Sequence, residues 1–226
     1  MKKFLLNPLC AGVISVLALV LFKGIDWLFY PKGSLDFYEA NQGLEIVTYV
    51  LYGIAGAVLV RYASDFFKKG QKSTFWGLMF LWLVALLREI GIQHWLTKHD
   101  TTAIKIRFFT NPNNPIHEKI ISGLLVILVL SVAFWLLFKY LKKMVVGFFK
   151  LDPVYWTIAT FGGLGIISQV CDRFPSRYYK ATGDRLDLGI LEILKLLEEG
   201  GEACLPLLFA LGIIQYHLLS RKQNRR

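Results

Sequence analysis

The chain has 226 residues, of which 55% are hydrophobic and 15% aromatic, and its mean hydropathy is +0.48. A soluble domain of this length does not need so many apolar residues, so the composition excludes an ordinary soluble globular protein. The formal net charge of +10 does not indicate nucleic-acid binding, because the basic residues are spread over several short segments without a recognisable binding module. The sequence therefore predicts an integral membrane protein.

Six apolar stretches are long enough to cross about 30 Å of hydrocarbon as an α-helix. They lie, in chain order, at 8–30, 44–62, 74–95, 119–141, 153–173 and 189–219. The first follows Lys2 and Lys3 as a signal peptide would, but no small-x-small cleavage pattern comes after it, so we expect it to remain as a helix. The predicted fold is all-α: one transmembrane domain over residues 1–226, built as a single bundle of six helices.

Lysine and arginine in the short connections predict the orientation, since cationic flanks stay in the cytoplasm. With both termini inside, the cytoplasmic segments carry 14 of the 26 basic residues but two of the 16 acidic ones. This distribution predicts a bacterial-type inner membrane protein with cytoplasmic N- and C-termini and a nearly neutral periplasmic side. The basic cytoplasmic side also predicts attraction to anionic lipid headgroups.

Ionisable residues at the outer ends of the predicted helices form the most informative pattern. The contributions are Lys23 and Asp26 from the first helix, Glu45 from the second, Arg88, Glu89 and His94 from the third, His117 from the fourth, Asp172 and Arg173 from the fifth, and Glu198, Glu199 and Glu202 from the sixth. Charge is costly in lipid, so ionisable residues within spans usually mark a functional site. A seam of ion pairs that fixes the helix register is the competing interpretation.

The sixth predicted span has the densest group of charges. At 100° per residue, a stripe of side chains shares an arc of about 80°. The stripe consists of Glu192, Lys195, Glu199 and Glu202, with Glu198 at its edge. Two interpretations fit it: a solvated face on a helix too long to be wholly in the membrane, or carboxylates that point into the bundle.

The residue types favour acid/base or metal-assisted chemistry, because no serine has the context of a nucleophile elbow. Crowded carboxylic acids and histidines are the usual general acids and bases. The predicted catalytic residues are Glu89, Glu198, Glu199, Glu202, His94 and His117. The predicted substrate-binding residues are Arg88, Arg173, Lys23, Asp26, Glu45 and Asp172, among which the arginines would hold an anionic headgroup. A divalent metal bound by the same carboxylates and a histidine stays open as the cofactor, with no ligands assigned.

These patterns predict an enzyme, a hydrolase or transferase, that acts at the outer face on a lipid or lipid-linked anionic substrate. Two alternatives to an enzyme stay open: a proton- or ion-coupled transporter or flippase, and a non-catalytic assembly partner. A carrier would also need acids along the cytoplasmic half of its path, where Asp65 and Asp152 lie in loops. The expected partners are membrane lipid and a lipid-linked substrate, without nucleic acid. The sequence identifies no protein partner.

Overall fold

The computed structural model describes the backbone of residues 2–29, 42–91 and 106–223, and the side chains of 2–25, 44–91 and 108–222. All regular structure in these ranges is helical, which confirms the predicted all-α class. The α-helices there are α1 (Lys2–Leu5), α2 (Cys10–Phe29), α3 (Gln42–Arg61), α4 (Ala63–Lys68), α5 (Lys72–Glu89), α6 (Ile106–Thr110), α7 (Ile116–Phe149), α8 (Pro153–Thr182), α9 (Leu188–Lys195) and α10 (Gly201–Gln223). A π-helical turn, Leu196–Gly200, connects α9 directly to α10.

Four segments of the described chain are long and apolar enough to cross a membrane. They are Leu44–Lys68, Ile116–Phe149, Pro153–Thr182 and Leu188–Lys222. These segments contain the second, fourth, fifth and sixth predicted spans and extend beyond them. The chain is therefore a membrane protein with several candidate spanning helices.

The first and third predicted spans also correspond to helices. The backbone of α2 runs over 20 residues, Cys10–Phe29, and Cys10–Ile25 is its apolar part among the described side chains. Helix α5 has 18 residues and carries Lys72 at one end and Arg88 and Glu89 at the other. The end of the third predicted span, residues 92–95, lies outside the described chain. A total of six spans stays a prediction.

Local signals explain where α8 begins and ends. The Asp152 side chain accepts a hydrogen bond from the Val154 amide at 2.9 Å, and Pro153 occupies the first turn, where a missing N–H costs nothing. At the other end Gly183 adopts a left-handed conformation with φ 79°, which glycine accepts without a steric penalty. These signals fix the long helix that borders the candidate site.

The chain forms two compact units, residues 1–62 with 144–226 and residues 63–143. In the first unit α10 is the central helix and packs against α8, α3 and α2. The most apolar part of the segment Leu188–Lys222 is 56% buried, whereas that of Ile116–Phe149 is 6% buried. The core of the first unit consists of Cys10, Ala11, Phe22, Leu44, Leu164, Ala203, Cys204, Leu208 and Leu211. The prediction of one domain over the whole chain stays a prediction.

A buried amide joins three helices of the first unit. Gln215 of α10 is 0% exposed. Its Oε1 accepts a hydrogen bond from Thr157 Oγ1 of α8 at 2.7 Å, and its Nε2 donates to the carbonyl of Leu5 at 3.0 Å. Since Leu5 ends α1, its carbonyl has no partner within that helix. Gln215 therefore satisfies its own polar atoms and one helix end at the same time.

Helices α7 and α8 make a close turn. Gly147 lies directly against the Tyr155 ring, so that a Cβ at this position would overlap the ring. The Trp156 indole N–H donates to the Phe148 carbonyl at 2.9 Å, and the two rings stack with centroids 4.6 Å apart. The close approach of the Tyr155 ring needs a glycine at position 147.

Helices α5 and α7 of the second unit are in contact through a few side chains. A Cβ added at Gly77 would lie 3.0 Å from the Trp135 ring, so the two helices approach closely there. Thr74 Oγ1 and the Tyr140 hydroxyl are 2.7 Å apart, and Thr74 is buried. Small side chains and a hydroxyl pair thus set the spacing of these helices.

The Gln215 contact yields a testable prediction about stability. Thr157→Val removes the donor to Gln215 Oε1, and we expect it to lower the free energy of unfolding by about 1 kcal/mol. Thr160→Val is the matched control, because Thr160 Oγ1 donates along its own helix to the Trp156 carbonyl. Unfolding by sodium dodecyl sulfate from a mild detergent, followed by circular dichroism, measures both. Equal losses for the two variants would contradict the interhelical role of Gln215.

Candidate functional site

The helix of the sixth predicted span contains a wide turn. Residues Leu196–Gly200 are π-helical, between the regular helices α9 and α10. A π-turn inserts one residue into an α-helix, so every later side chain is rotated relative to a continuous helix. The spacing of 100° per residue therefore holds on either side of the turn but not across it. The predicted stripe is split, and its two ends contact different neighbours.

Glu192, before the π-turn, contacts α2. Lys23 Nζ lies 3.2 Å from Glu192 Oε2, with the Glu192 side chain 18% exposed and that of Lys23 40% exposed. The sequence predicted Lys23 as a substrate-binding residue and placed Glu192 in the stripe, but it did not indicate this pair. The ion pair connects α2 to α9.

Lys195 lies beside the two carboxylates of the π-turn itself. Its Nζ is 3.2 Å from Glu198 Oε2 and 3.9 Å from Glu199 Oε1. The Glu198 side chain is 14% exposed and the Glu199 side chain is 28% exposed. One ammonium thus faces two carboxylates, of which Glu198 is the more buried.

Glu202, after the π-turn, contacts α8. Gln169 Nε2 lies 3.3 Å from Glu202 Oε1. Ser168 Oγ lies 3.0 Å from the Glu198 carbonyl and 3.4 Å from Glu202 Oε1, and Ser168 is 1% exposed. Because a hydroxyl has one proton, the shorter distance indicates donation to the carbonyl. Ser168 therefore stabilises the backbone of the π-turn.

Two buried glycines bring the π-turn close to its neighbours. A Cβ at Gly200 would lie 2.9 Å from Leu19 Cδ2 of α2, and one at Gly201 would lie 3.5 Å from Ser168 Cβ of α8. A Cβ at Gly200 would displace the Leu19 side chain, whereas one at Gly201 would make ordinary van der Waals contact. The glycines thus help to place Glu198 and Glu199 between α2 and α8.

Some of the other predicted site residues also belong to the first unit. Glu45 of α3 is exposed and accepts a hydrogen bond from the Tyr49 hydroxyl at 2.5 Å, as the spacing of four residues within one helix allows. Asp172 and Arg173 are exposed on α8. Asp26 is described only as backbone, within α2.

The remaining predicted residues lie elsewhere in the chain. Arg88 is exposed and Glu89 half-buried at the end of α5, and His117 is exposed in the first turn of α7. All three belong to the second unit, residues 63–143. His94 lies outside the described residues. A common site for these four side chains and the π-turn carboxylates stays a prediction.

No group of three or more His, Cys, Asp or Glu side chains in the described ranges has the geometry to hold a metal ion. In these ranges Glu198 and Glu199 instead contact Lys195, and Glu202 contacts Gln169 and Ser168. The metal-assisted mechanism therefore has no ligand set in this part of the chain. Acid/base chemistry needs only the groups that are present.

Sequence reasoning did not identify Ser168 or the π-turn. A single serine in an apolar helix has no distinctive spacing, and its role depends on the opposite helix. The residue types at 196–200 do not indicate a change from α- to π-helix, except for the adjacent glycines Gly200 and Gly201.

Comparisons with protein-family models, curated protein sequences and solved structures found no match to this chain.

The pair of Lys23 and Glu192 can be tested by a double-mutant cycle. We expect Lys23→Gln and Glu192→Gln to show a coupling energy of about 0.5 kcal/mol, since Lys23 is partly exposed. The coupling should shrink in 1 M salt, where the Debye length falls to about 3 Å. The cycle is obtained from the free energies of unfolding, in mild detergent, of the wild type, the two single variants and the double variant. A cycle of Lys23→Gln with Asp184→Asn, an exposed carboxylate beyond α8, should be additive. Additivity in the first cycle at low salt would contradict the pair.

Proposed function

We propose that this membrane protein is an enzyme that uses the carboxylates of the π-turn to act on a lipid or lipid-linked substrate. One observation carries the proposal. Glu198, Glu199 and Glu202 cluster at a π-turn within a segment long and apolar enough to cross a membrane. Ionisable groups in such segments are functional by default, because their burial is costly. Single π-turns inside α-helices occur frequently at functional sites.

The composition of the cluster supports proton transfer. Four carboxylates, from Glu192, Glu198, Glu199 and Glu202, share the site with the ammonium groups of Lys23 and Lys195. When all six are ionised their formal net charge is −2. Neighbouring carboxyl groups in different environments can take the roles of general acid and general base. The more buried Glu198 is proposed as the acid, and Glu199 or Glu202 as the base.

An anionic part of the substrate would bind cationic groups around this cluster. Gln169 contacts Glu202, and Arg173 follows one helical turn later, so it projects from the same face of α8. A guanidinium binds phosphate or carboxylate through two parallel hydrogen bonds. Arg173 and Lys23 are therefore proposed to bind the headgroup.

The other predicted residues are proposed to complete the same layer in the assembled bundle. They are Asp26, Glu45, Arg88, Glu89, His94, His117 and Asp172. The full proposal has six helices crossing a bacterial-type inner membrane, both termini in the cytoplasm and the site at the periplasmic side. The asymmetry of lysine and arginine between the two sides supports this orientation.

A proton- or cation-coupled carrier is the second candidate. The four carboxylates within a single candidate spanning segment, Leu188–Lys222, favour it, because carriers bind protons or cations at intramembrane carboxylates. The two candidates differ in what they change: an enzyme alters the lipid, whereas a carrier moves an ion.

Reconstitution separates them. The full chain is placed in vesicles of bacterial polar lipid extract with a trapped pH-sensitive dye, and lipid classes are followed by mass spectrometry. We expect the wild type to convert one lipid class. The Glu198→Gln, Glu199→Gln, Glu202→Gln triple variant should be slower by about 100-fold or more, since general acid–base groups contribute that much. Asp184→Asn, which removes an exposed carboxylate outside the cluster, is the matched control and should keep the wild-type rate.

Two outcomes would overturn the enzyme proposal. A proton flux that depends on the same three glutamates, with unchanged lipids, would replace it with the carrier. The absence of both lipid conversion and proton flux in a correctly folded wild type would contradict both candidates.

A further inference from the structure

The second unit contains a group of cations and hydroxyls that the proposed function does not use. Lys139 Nζ donates to Thr74 Oγ1 at 2.8 Å and to Ser73 Oγ at 3.2 Å. Thr74 Oγ1 is in turn 2.7 Å from the Tyr140 hydroxyl. The Lys139 ammonium also lies 4.8 Å from the centre of the Trp135 ring. These contacts fix one ammonium where the first turn of α5 meets α7.

Three other lysines are close in sequence to the residues that make these contacts. Lys72 begins α5, and Lys142 and Lys143 follow on α7; all three are exposed. Lys143 Nζ lies 5.8 Å from the centre of the Tyr140 ring. The two segments, residues 72–74 and 139–143, contain four lysines and no acidic residue. They present a compact positive surface.

A shallow apolar groove, open to the surroundings and lined by side chains of α7 itself, lies next to these lysines. It is lined by Ile127, Leu130, Ser131, Phe134 and Phe138. Phe138 is 70% exposed and Phe134 51% exposed, and their rings stack with centroids 6.1 Å apart. The lining residues are spaced three and four apart, so the groove is parallel to the helix axis and about 16 Å long.

The groove and the lysines are continuous. Lys142 follows Phe138 by four residues, so it lies one turn beyond the end of the groove on nearly the same face of α7. Trp135 and Tyr140 lie beside the lysines, and such aromatic side chains prefer the headgroup level of a membrane. A ligand that matches this surface has a long apolar chain with an anionic group at one end.

We propose that this face of α7 binds one anionic phospholipid. An acyl chain lies along the groove, and the phosphate lies between Lys142, Lys139 and the Ser73 hydroxyl. Lysine binds phosphate as a point charge, and each lysine near a membrane surface adds to the attraction of anionic lipid. Charge complementarity therefore selects an anionic headgroup over a zwitterionic one. This site is independent of the π-turn and of any reaction there.

Native mass spectrometry of the full chain in mild detergent tests the headgroup. The protein is titrated with phosphatidylglycerol or with phosphatidylcholine of the same acyl chains. We expect tighter binding of phosphatidylglycerol, and about fivefold weaker binding of it by Lys142→Gln. Lys150→Gln is the matched control: it removes the same charge from an exposed lysine just after α7 and should bind like the wild type. Equal affinity for the two lipids, or equal losses in the two variants, would overturn the proposal.

A second pair of variants tests the groove. Ser131→Trp fills it and should weaken the binding of phosphatidylglycerol. Leu125→Trp adds a similar side chain at an exposed position about 120° away from Ser131 around α7 and should leave binding unchanged. Wild-type binding by a folded Ser131→Trp would contradict the acyl-chain position. Should Ser131→Trp fail to fold, the two lysine variants still decide the proposal.

Discussion

Polar groups buried on α10 must find partners inside the protein, because hydrocarbon supplies none. Near the end of α10, Gln215 bonds to Thr157 and to the Leu5 carbonyl. At its beginning, the Glu198 carbonyl of the π-turn accepts a hydrogen bond from Ser168. Each of these contacts joins α10 to α8 or α1. The arrangement of helices in the first unit depends on this internal satisfaction of polar groups around one central helix.

The candidate site is a consequence of the same packing. Because a π-turn rotates the helix, Glu192 is directed to Lys23 of α2 whereas Glu202 is directed to Gln169 of α8. A continuous α-helix would align the carboxylates on one face and leave them with one set of neighbours. The turn instead distributes them between two helices around Lys195, which produces the different environments that acid/base chemistry requires.

The fold class could be predicted from the sequence, since long apolar stretches have few ways other than helix to satisfy their backbone. The contact of Glu45 with Tyr49 could also be predicted, because it depends on spacing within one helix. The pair of Lys23 and Glu192 could not, since 169 positions separate its members and only helix packing brings them together. Composition alone does not show that α5 crosses the membrane, because its ends carry Lys72, Arg88 and Glu89.

The most direct test is the exposure of nitroxide spin labels in lipid vesicles, in a chain whose three cysteines are replaced by alanine. The account predicts that a label at Glu199 collides with a water-soluble nickel complex, that one at Leu208 meets neither nickel nor oxygen, and that one at Leu128 meets oxygen from the lipid. Leu208 is 1% exposed and Leu128 is 51% exposed. Oxygen exposure at 208 as high as at 128, or a label at 199 that nickel does not reach, would contradict a buried central helix with an accessible carboxylate site.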